Sequence, residues 1–267
     1  MIEYKECRYG PMLYLQNDQW VGKSFDFYGE AFENQINFMS RFVGQDDVVL
    51  DGGANMGAMT IPLAKRCSRV IAFEPQEFLY YILCGNIAAN NLTNVRAYMN
   101  PLDAVSGRVV AFPRPSDDYF GEGHFAGVAG TSINLDGKNC LGTKCIDQLF
   151  LDRLDFVKMD VEGAELMALF GGRDTLEQFK PVMFVEALPN NFEDIQLALR
   201  RHNYVGYLVS TDYFNPNNFL GKSRDVLQNK SHDVVCWHRE EVEKWESVFQ
   251  EAIKECHGVD SLHHIGD

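Results

Sequence analysis

Short apolar runs alternate with longer amphipathic stretches along most of this chain, and that alternation sets the first structural expectations. Val48, Val49 and Leu50 form an apolar run bounded by Gly44-Gln45-Asp46-Asp47 before it and Gly52 after it. A run this short between turn residues predicts a strand buried on both faces. The same pattern recurs at Val70-Ile71-Ala72-Phe73, at residues 95–99, at residues 154–159 and at residues 182–186. Between these runs the apolar spacing predicts helices over residues 58–66, 77–91, 164–170 and 192–202. Pro62 costs the first of these helices one backbone hydrogen bond.

The flanks read differently. Residues 1–30 hold Tyr4, Tyr9, Tyr14, Trp20, Phe25, Phe27 and Tyr28, and read as short strands or a cap over the domain edge. Phe32, Ile36, Met39 and Phe42 come close to helical spacing. Residues 105–150 break into strand-like pieces, Val109-Val110-Ala111-Phe112 and Ser132-Ile133-Asn134-Leu135, around a glycine-rich loop at 121–130. Strands are expected at 204–209 and 234–237 with a loop at 215–230 between them, then a charged helix over 239–256 and a frayed end. Strands alternating with helices over this length predict an α/β fold, a mostly parallel central sheet with helices on both faces. One domain is the simplest account, with residues 1–45 as an N-terminal cap, 105–150 as a β-rich insertion and 211–267 as a C-terminal loop, strand and helix.

Charge narrows the partners. With 24 Lys and Arg against 38 Asp and Glu, the 267-residue chain carries a formal net charge of −14. Nucleic-acid binders neutralise phosphates with clustered Lys and Arg, whereas here no basic run exceeds two residues. Nucleic acid is therefore not expected as a partner. The seven cysteines are scattered without a C-x-x-C pair, which reads as reduced thiols rather than a zinc site or a disulfide framework. No apolar stretch approaches the ~20 residues that span a bilayer, and the polar start, Met1 to Arg8, lacks a signal-peptide core. A soluble, cytoplasmic protein with no membrane partner is expected.

Candidate chemistry concentrates in the first strand-to-helix turn, Asp51-Gly52-Gly53-Ala54-Asn55-Met56-Gly57. Glycines there permit a sharp turn and close approach of a ligand to the backbone. Glu74, in Phe73-Glu74-Pro75 at the end of the second strand, is placed to bind both hydroxyls of a ribose. Two nucleoside cofactors use such a turn. A dinucleotide fingerprint wants glycine where Ala54 stands, and its pyrophosphate would be repelled by Asp51. S-adenosylmethionine has no phosphate and carries an ammonium and a sulfonium, which an acidic loop suits.

These two segments, together with Lys158-Met159-Asp160-Val161-Glu162-Gly163-Ala164-Glu165 and Lys180-Pro181-Val182-Met183-Phe184-Val185-Glu186, resemble the FkbM family of methyltransferases. The resemblance covers about residues 28–210, and the K-x-D-x-E-G-x-E segment is its most specific part. Two departures stand out: the paired Gly52 and Gly53, and Asn100-Pro101-Leu102-Asp103 after the third strand. The resemblance implies a Rossmann-like methyltransferase fold and methyl transfer from S-adenosylmethionine to a hydroxyl of a small molecule or glycan. By position, Asp51, Gly52, Gly53, Asn55 and Gly57 would form the methionine side, Glu74 and Pro75 the ribose side, and Asp103 the adenine side. Asp160 and Glu162 would face the reacting centre.

An alcohol must lose a proton as it is methylated, so a base near it helps. Asp160, at the carboxyl end of the fourth strand of the fold, is the first candidate. Lys158, two residues earlier, points the same way in a strand and is either its tuner or a plain ion-pair partner. Glu162 and His124, in Gly121-Glu122-Gly123-His124, are further candidates; capping of the next helix by the acids is the structural alternative. Asp160, Glu162 and Glu186 are alternatively read as oxygen ligands for Mg²⁺ or Ca²⁺, but the companion Asp-Asn pair is missing and no metal-ligand set is assigned. Tyr28, Glu30 and Glu33 are read either as cover for the methionine end or as edge packing. The rival readings are a binding module that has lost catalysis and an NAD-dependent oxidoreductase.

Overall fold

The structure, a computed structural model, describes residues 1–113 and 138–265. Its chain order begins with β1 (Ile2–Cys7), β2 (Gly10–Leu15), α1 (Val21–Tyr28), α2 (Glu33–Met39), β3 (Val48–Gly52), α3 (Thr60–Ala64), β4 (Arg69–Phe73), α4 (Glu77–Ala89) and β5 (Val95–Tyr98). It continues with β6 (Val109–Pro113), β7 (Lys138–Gly142), β8 (Phe156–Met159), α5 (Glu165–Phe170), α6 (Arg173–Phe179), β9 (Val182–Glu186) and α7 (Phe192–Arg201). It closes with β10 (Tyr204–Asp212), β11 (Lys230–His238), α8 (Val242–Glu255) and β12 (Val259–Ile265).

The main sheet has eight strands in the order β12-β10-β11-β9-β8-β3-β4-β5. Neighbours from β9 to β5 run parallel, while β11 is antiparallel to both β9 and β10. The order reverses between β3 and β8, and open α/β sheets bind ligands outside the carboxyl ends of their strands at such a point. This is the Rossmann-like sheet expected, with helices on both faces. Adjacent strand residues alternate between the two layers, as a period of two demands. Val49, Phe156, Phe184 and Val235 pack with Ile36 and Phe38 of α2 and Phe249 of α8. Leu50, Val157, Val185 and Val234 pack with Leu169, Leu176 and Ile195 from the opposite face. Fully burying each such side chain contributes ~1.5–3 kcal/mol.

The N-terminal region divides in two. β1 and β2 pair as a hairpin and pack with α1 in their own cluster. Asn86 of α4 clamps this hairpin to the first turn: its amide accepts from Leu13 N at 2.6 Å and donates to Leu13 O and Met56 O. α2 belongs instead to the main core. α1 and α6, which lie outside the elements expected from pattern, are short helices. Within the insertion, β6 pairs antiparallel with β7; the strand expected at 132–135, the loop at 121–130 and His124 lie outside the described residues. The end of the chain corrects one expectation. Residues read as a frayed end form β12, which pairs with β10. Its buried anchors are only the terminal Val259 and Ile265, so main-chain hydrogen bonds rather than an apolar stripe make it a strand. None of the described helices is long and apolar enough to cross a membrane.

Candidate active site

A crevice of about 250 Å³ opens at the carboxyl ends of β3, β4 and β8. Its floor is the turn after β3. Gly53 has φ +77°, and a Cβ there would lie 1.7 Å from the carbonyl oxygen of Asp160, so only glycine fits. Gly52 is glycine for another reason: a Cβ would crowd Met159 Sδ at 2.8 Å and Leu102 at 3.2 Å. The paired glycines thus reflect how closely β8 and the segment after β5 approach. Gly53→Ala is expected to destabilise the protein by at least ~1–2 kcal/mol from the left-handed backbone alone. Thermal unfolding reads that loss.

The amides of this turn are engaged within the protein. Gly53 N and Ala54 N both donate to Phe73 O, at 2.9 and 2.8 Å. Asn55, itself left-handed at φ 52°, donates its N–H to Glu74 Oε2 at 2.8 Å. Phosphate-binding turns point such donors at the ligand; this one does not. Glu74 is 4% exposed and also accepts from Gln76 N at 2.8 Å. Burial pushes its carboxyl up to about 7, against the pull of the Gln76 and Asn55 amides.

Lys158 braces the turn from below. Its ammonium donates to Gly53 O at 2.7 Å and Gly52 O at 3.1 Å, and lies 3.2 Å from Asp51 Oδ1 and 3.7 Å from Asp160 Oδ2. Burial works against its charge, but Asp51 and Asp160 outweigh it and raise the pKa above the ordinary lysine value. Lys158 therefore holds its proton at neutral pH and acts as a structural cation, not a base. Asp51 is fully buried; Thr60 donates to its second oxygen at 2.6 Å. It acts on the crevice through Lys158 and does not line it.

The last acid of the K-x-D-x-E-G-x-E segment has a local task. Glu165 is fully buried; Oε1 accepts from Val161 N and Gly163 N, and Oε2 from Asn191 Nδ2. These bonds hold the loop that carries Asp160 and Glu162, with Glu162 at φ 56°. Burial, followed by repulsion from Asp160 and Glu165, pushes the Glu162 carboxyl up to about 7. On the adenine side expected from sequence, Asp103 is 1% exposed. It accepts from its neighbour Ala104 N at 2.7 Å, and Arg108 pairs with its other oxygen at 2.5 Å. Its segment is stitched to the base of the insertion through Lys144, which donates to Pro101 O and accepts from Asp103 N.

Gly53, Asn55, Glu74, Pro75, Asp103, Lys158, Asp160 and Glu162 thus meet on one crevice, while Asp51, Gly52 and Gly57 stand behind it. Tyr28, Glu30 and Glu33 do not line it. Glu30 is tied to Arg8, Asn215 and Phe219 N, and Tyr28 accepts from Val226 N. Phe32 does line it, left-handed at φ 58°, and its ring meets Tyr213 edge-on at 5.5 Å. Glu186 closes the 180–186 segment that carries the family resemblance and ends β9, and Phe32 reads from sequence only as part of an apolar helix face, whereas Tyr213 and Asp233 carry no motif of their own.

Several buried acids bind protons more tightly folded than unfolded. Burial and Asp160 push Asp233 from 3.8 to about 7, and Glu162 and Glu74 start from 4.5. Between those values the folded form holds more protons, so stability falls as pH rises. The ligand-free protein is expected to lose ~2–8 °C in Tm between pH 5 and pH 8, the response to ~1–2 kcal/mol in a chain of this size. A flat profile in scanning calorimetry would refute this.

Comparison with known proteins gives the family. Methyltransferase sdnD of Sordaria araneosa is 26% identical over 161 residues, which span 46% of this chain and 59% of that protein. The chain thus spans less than two thirds of that relative's length. The methyltransferase FkbM of Methylobacillus flagellatus KT superposes with a TM-score of 0.45 at 19% identity, over 71% of this chain and 43% of its own. A Streptococcus mutans protein in complex with SAH superposes with a TM-score of 0.45 at 11% identity, over 77% and 96%. Residues 51–205, more than half of the chain, match the family model of the methyltransferase FkbM domain. That span runs from Asp51 through Glu74 and Asp160 to the start of β10, and the chain belongs to the FkbM methyltransferase family.

Proposed function

We propose that this chain is an S-adenosylmethionine-dependent methyltransferase acting on a hydroxyl oxygen of a small molecule or glycan. The carrying observation is the crevice wall. Its turn amides are spent on Phe73 and Glu74, so Gly53, Ala54 and Asn55 offer no free N–H to a pyrophosphate, while buried carboxylates face the space. That donor set fits a phosphate-free, cationic nucleoside and not NAD. Glu74 would take the ribose hydroxyls, Asp103 the adenine side, and Gly53 and Asn55 the amino-acid end. S-adenosylmethionine supplies a methyl group already attached to a good leaving group.

The chain's own task is then to align the acceptor and accept its proton. Alignment contributes on the order of 7–11 kcal/mol to such a displacement. Asp160, on the crevice wall, accepts the hydroxyl proton; Glu162 stands beside it, and Lys158 holds the Asp160 loop against the turn. The net charge of −14 argues against a nucleic-acid acceptor. The seven unpaired cysteines fit the reducing cytoplasm. The test is incubation of purified protein with S-adenosylmethionine and a panel of sugars and hydroxylated metabolites, read by S-adenosylhomocysteine formation and product mass. Turnover on a hydroxyl acceptor is expected. Cofactor binding without transfer to any of them would leave a binding module, and tight NAD binding would overturn the cofactor assignment.

A further inference from the structure

Four carboxylates gather beside the crevice, two on the neighbouring strands β9 and β11 and two just past the end of β8. Met159 of β8 pairs with Val185 of β9, so Asp160 and Glu186 come next, side by side. Glu186 pairs in turn with Asp233 of β11. Glu162 follows in the loop after β8 and, with Asp160, lines the crevice. Lys158 faces this row from β8, already shared with Asp51, and Tyr213 faces it from the segment after β10. Glu74 and Glu165 repel the charge of Glu162, and Ser231 donates to Asp233 at 2.8 Å.

A second feature belongs to α2. Gln35, 4% exposed, donates Nε2 to Asp233 Oδ2 at 3.0 Å, and its Oε1 is buried at the row without a hydrogen-bond partner. Glu186 Oε2 is in the same condition. So many carboxylates cannot all be charged beside one lysine. Burial, with Asp160 next, pushes Asp233 to about 7. Burial, Asp160 and Glu162 push Glu186 well above the ordinary carboxylate range. Near neutral pH Glu186 and Asp233 therefore store protons.

We propose that Glu186 and Asp233, beside Asp160, form a proton store that is emptied by the sulfonium charge of the methyl donor, so that the row is ready to take up the hydroxyl proton only while donor, and not demethylated product, occupies the crevice. This rests on the cofactor reading above. An opposite charge within ~4–6 Å favours a carboxylate by about ten- to a thousand-fold, enough to displace a proton held near neutrality. In the transfer, an acceptor oxygen lone pair forms the new bond to the methyl carbon. The electron pair of the broken carbon–sulfur bond stays on sulfur, and the hydroxyl proton passes to Asp160. One positive charge leaves the sulfur and one proton enters the row, so the charge in the crevice is the same before and after. Asp160 touches the acceptor; Glu186 and Asp233 are positioning residues that act through it.

Titration calorimetry at pH 7 in buffers of different ionisation enthalpy counts the protons released on binding. S-adenosylmethionine and S-adenosylhomocysteine share the amino-acid group and differ in the sulfonium, which also makes the ammonium of S-adenosylmethionine more acidic. Once each free ligand's own amine titration is subtracted, their difference isolates the protein's response. S-adenosylmethionine is expected to release roughly 0.5–1 proton more, and Glu186→Gln and Asp233→Asn are each expected to reduce that difference by at least about half. Equal counts for the two ligands in the unaltered protein would overturn the proposal whether or not the variants fold. So would a full difference retained in both folded variants. Failure of both ligands to bind would overturn the cofactor reading itself, whereas binding with equal counts overturns the proton store alone.

Discussion

Glu74→Gln is expected to weaken binding of S-adenosylhomocysteine by about 100-fold or more, since two charge-assisted hydrogen bonds are worth ~1.5–3 kcal/mol each and every ~1.4 kcal/mol is tenfold. Each Glu74 oxygen accepts one main-chain N–H, from Gln76 or Asn55, and keeps a lone pair for a ribose hydroxyl. Glutamine keeps the shape but turns an NH₂ toward one of those N–H groups. The pH dependence has a definite sign. Burial holds the carboxyl at about 7, and hydroxyl donors need its charged form, so binding expels a proton. Affinity should rise with pH up to about 7 and level off above it, and the rise should shrink in Glu74→Gln. Titration calorimetry across pH 5.5–8.5 measures both. Binding of the variant within threefold of the unaltered protein would remove Glu74 from the site.

Lys158→Met is expected to lower stability by ~3–5 kcal/mol, the cost of leaving one partner of a buried ion pair unpaired, and to lower Tm by ~6–20 °C in a chain of this size. Methionine fills the volume of the lysine stem. It cannot donate to Gly52 O and Gly53 O, and Asp51 Oδ1 has no other hydrogen-bond partner. Asp51→Asn combined with Lys158→Met removes the stranded charge and should recover part of the loss, because a neutral pair is cheaper to bury than a lone carboxylate. Thermal unfolding of the three variants decides. A single-variant Tm within about 3 °C of the unaltered protein would mean that the turn stands without its brace.

Both predictions concern residues that sequence patterning singled out, and the reason is local. Strand residues alternate between two apolar layers, so a run such as Val48-Val49-Leu50 declares itself a buried strand wherever it lies. A turn that must take φ +77° with no room for a Cβ declares itself through glycine. Glu74 is readable because the second strand puts it at a set distance from that turn. Asp160 was readable from its place at the carboxyl end of a predicted strand, and Glu162 only through family resemblance. Their environment was not, and Lys158 shows the gap: chain spacing alone left open whether it tunes a base, while four contacts show a cation holding a turn.

The sequence by itself determined the parallel α/β sheet, the glycine turn and the acid after the second strand, because each is encoded within a few residues by periodicity or backbone sterics. Only the tertiary structure decided what surrounds them. Glu186 meets Asp233 through the register of β9 on β11, and Gln35 reaches Asp233 across 198 positions of chain. Phe32 meets Tyr213 only after α2 docks on the sheet. The polar end of the chain becomes β12 because β10 offers it an edge. Such contacts depend on register and packing between distant segments, and no local pattern of residues records which strand will lie beside which.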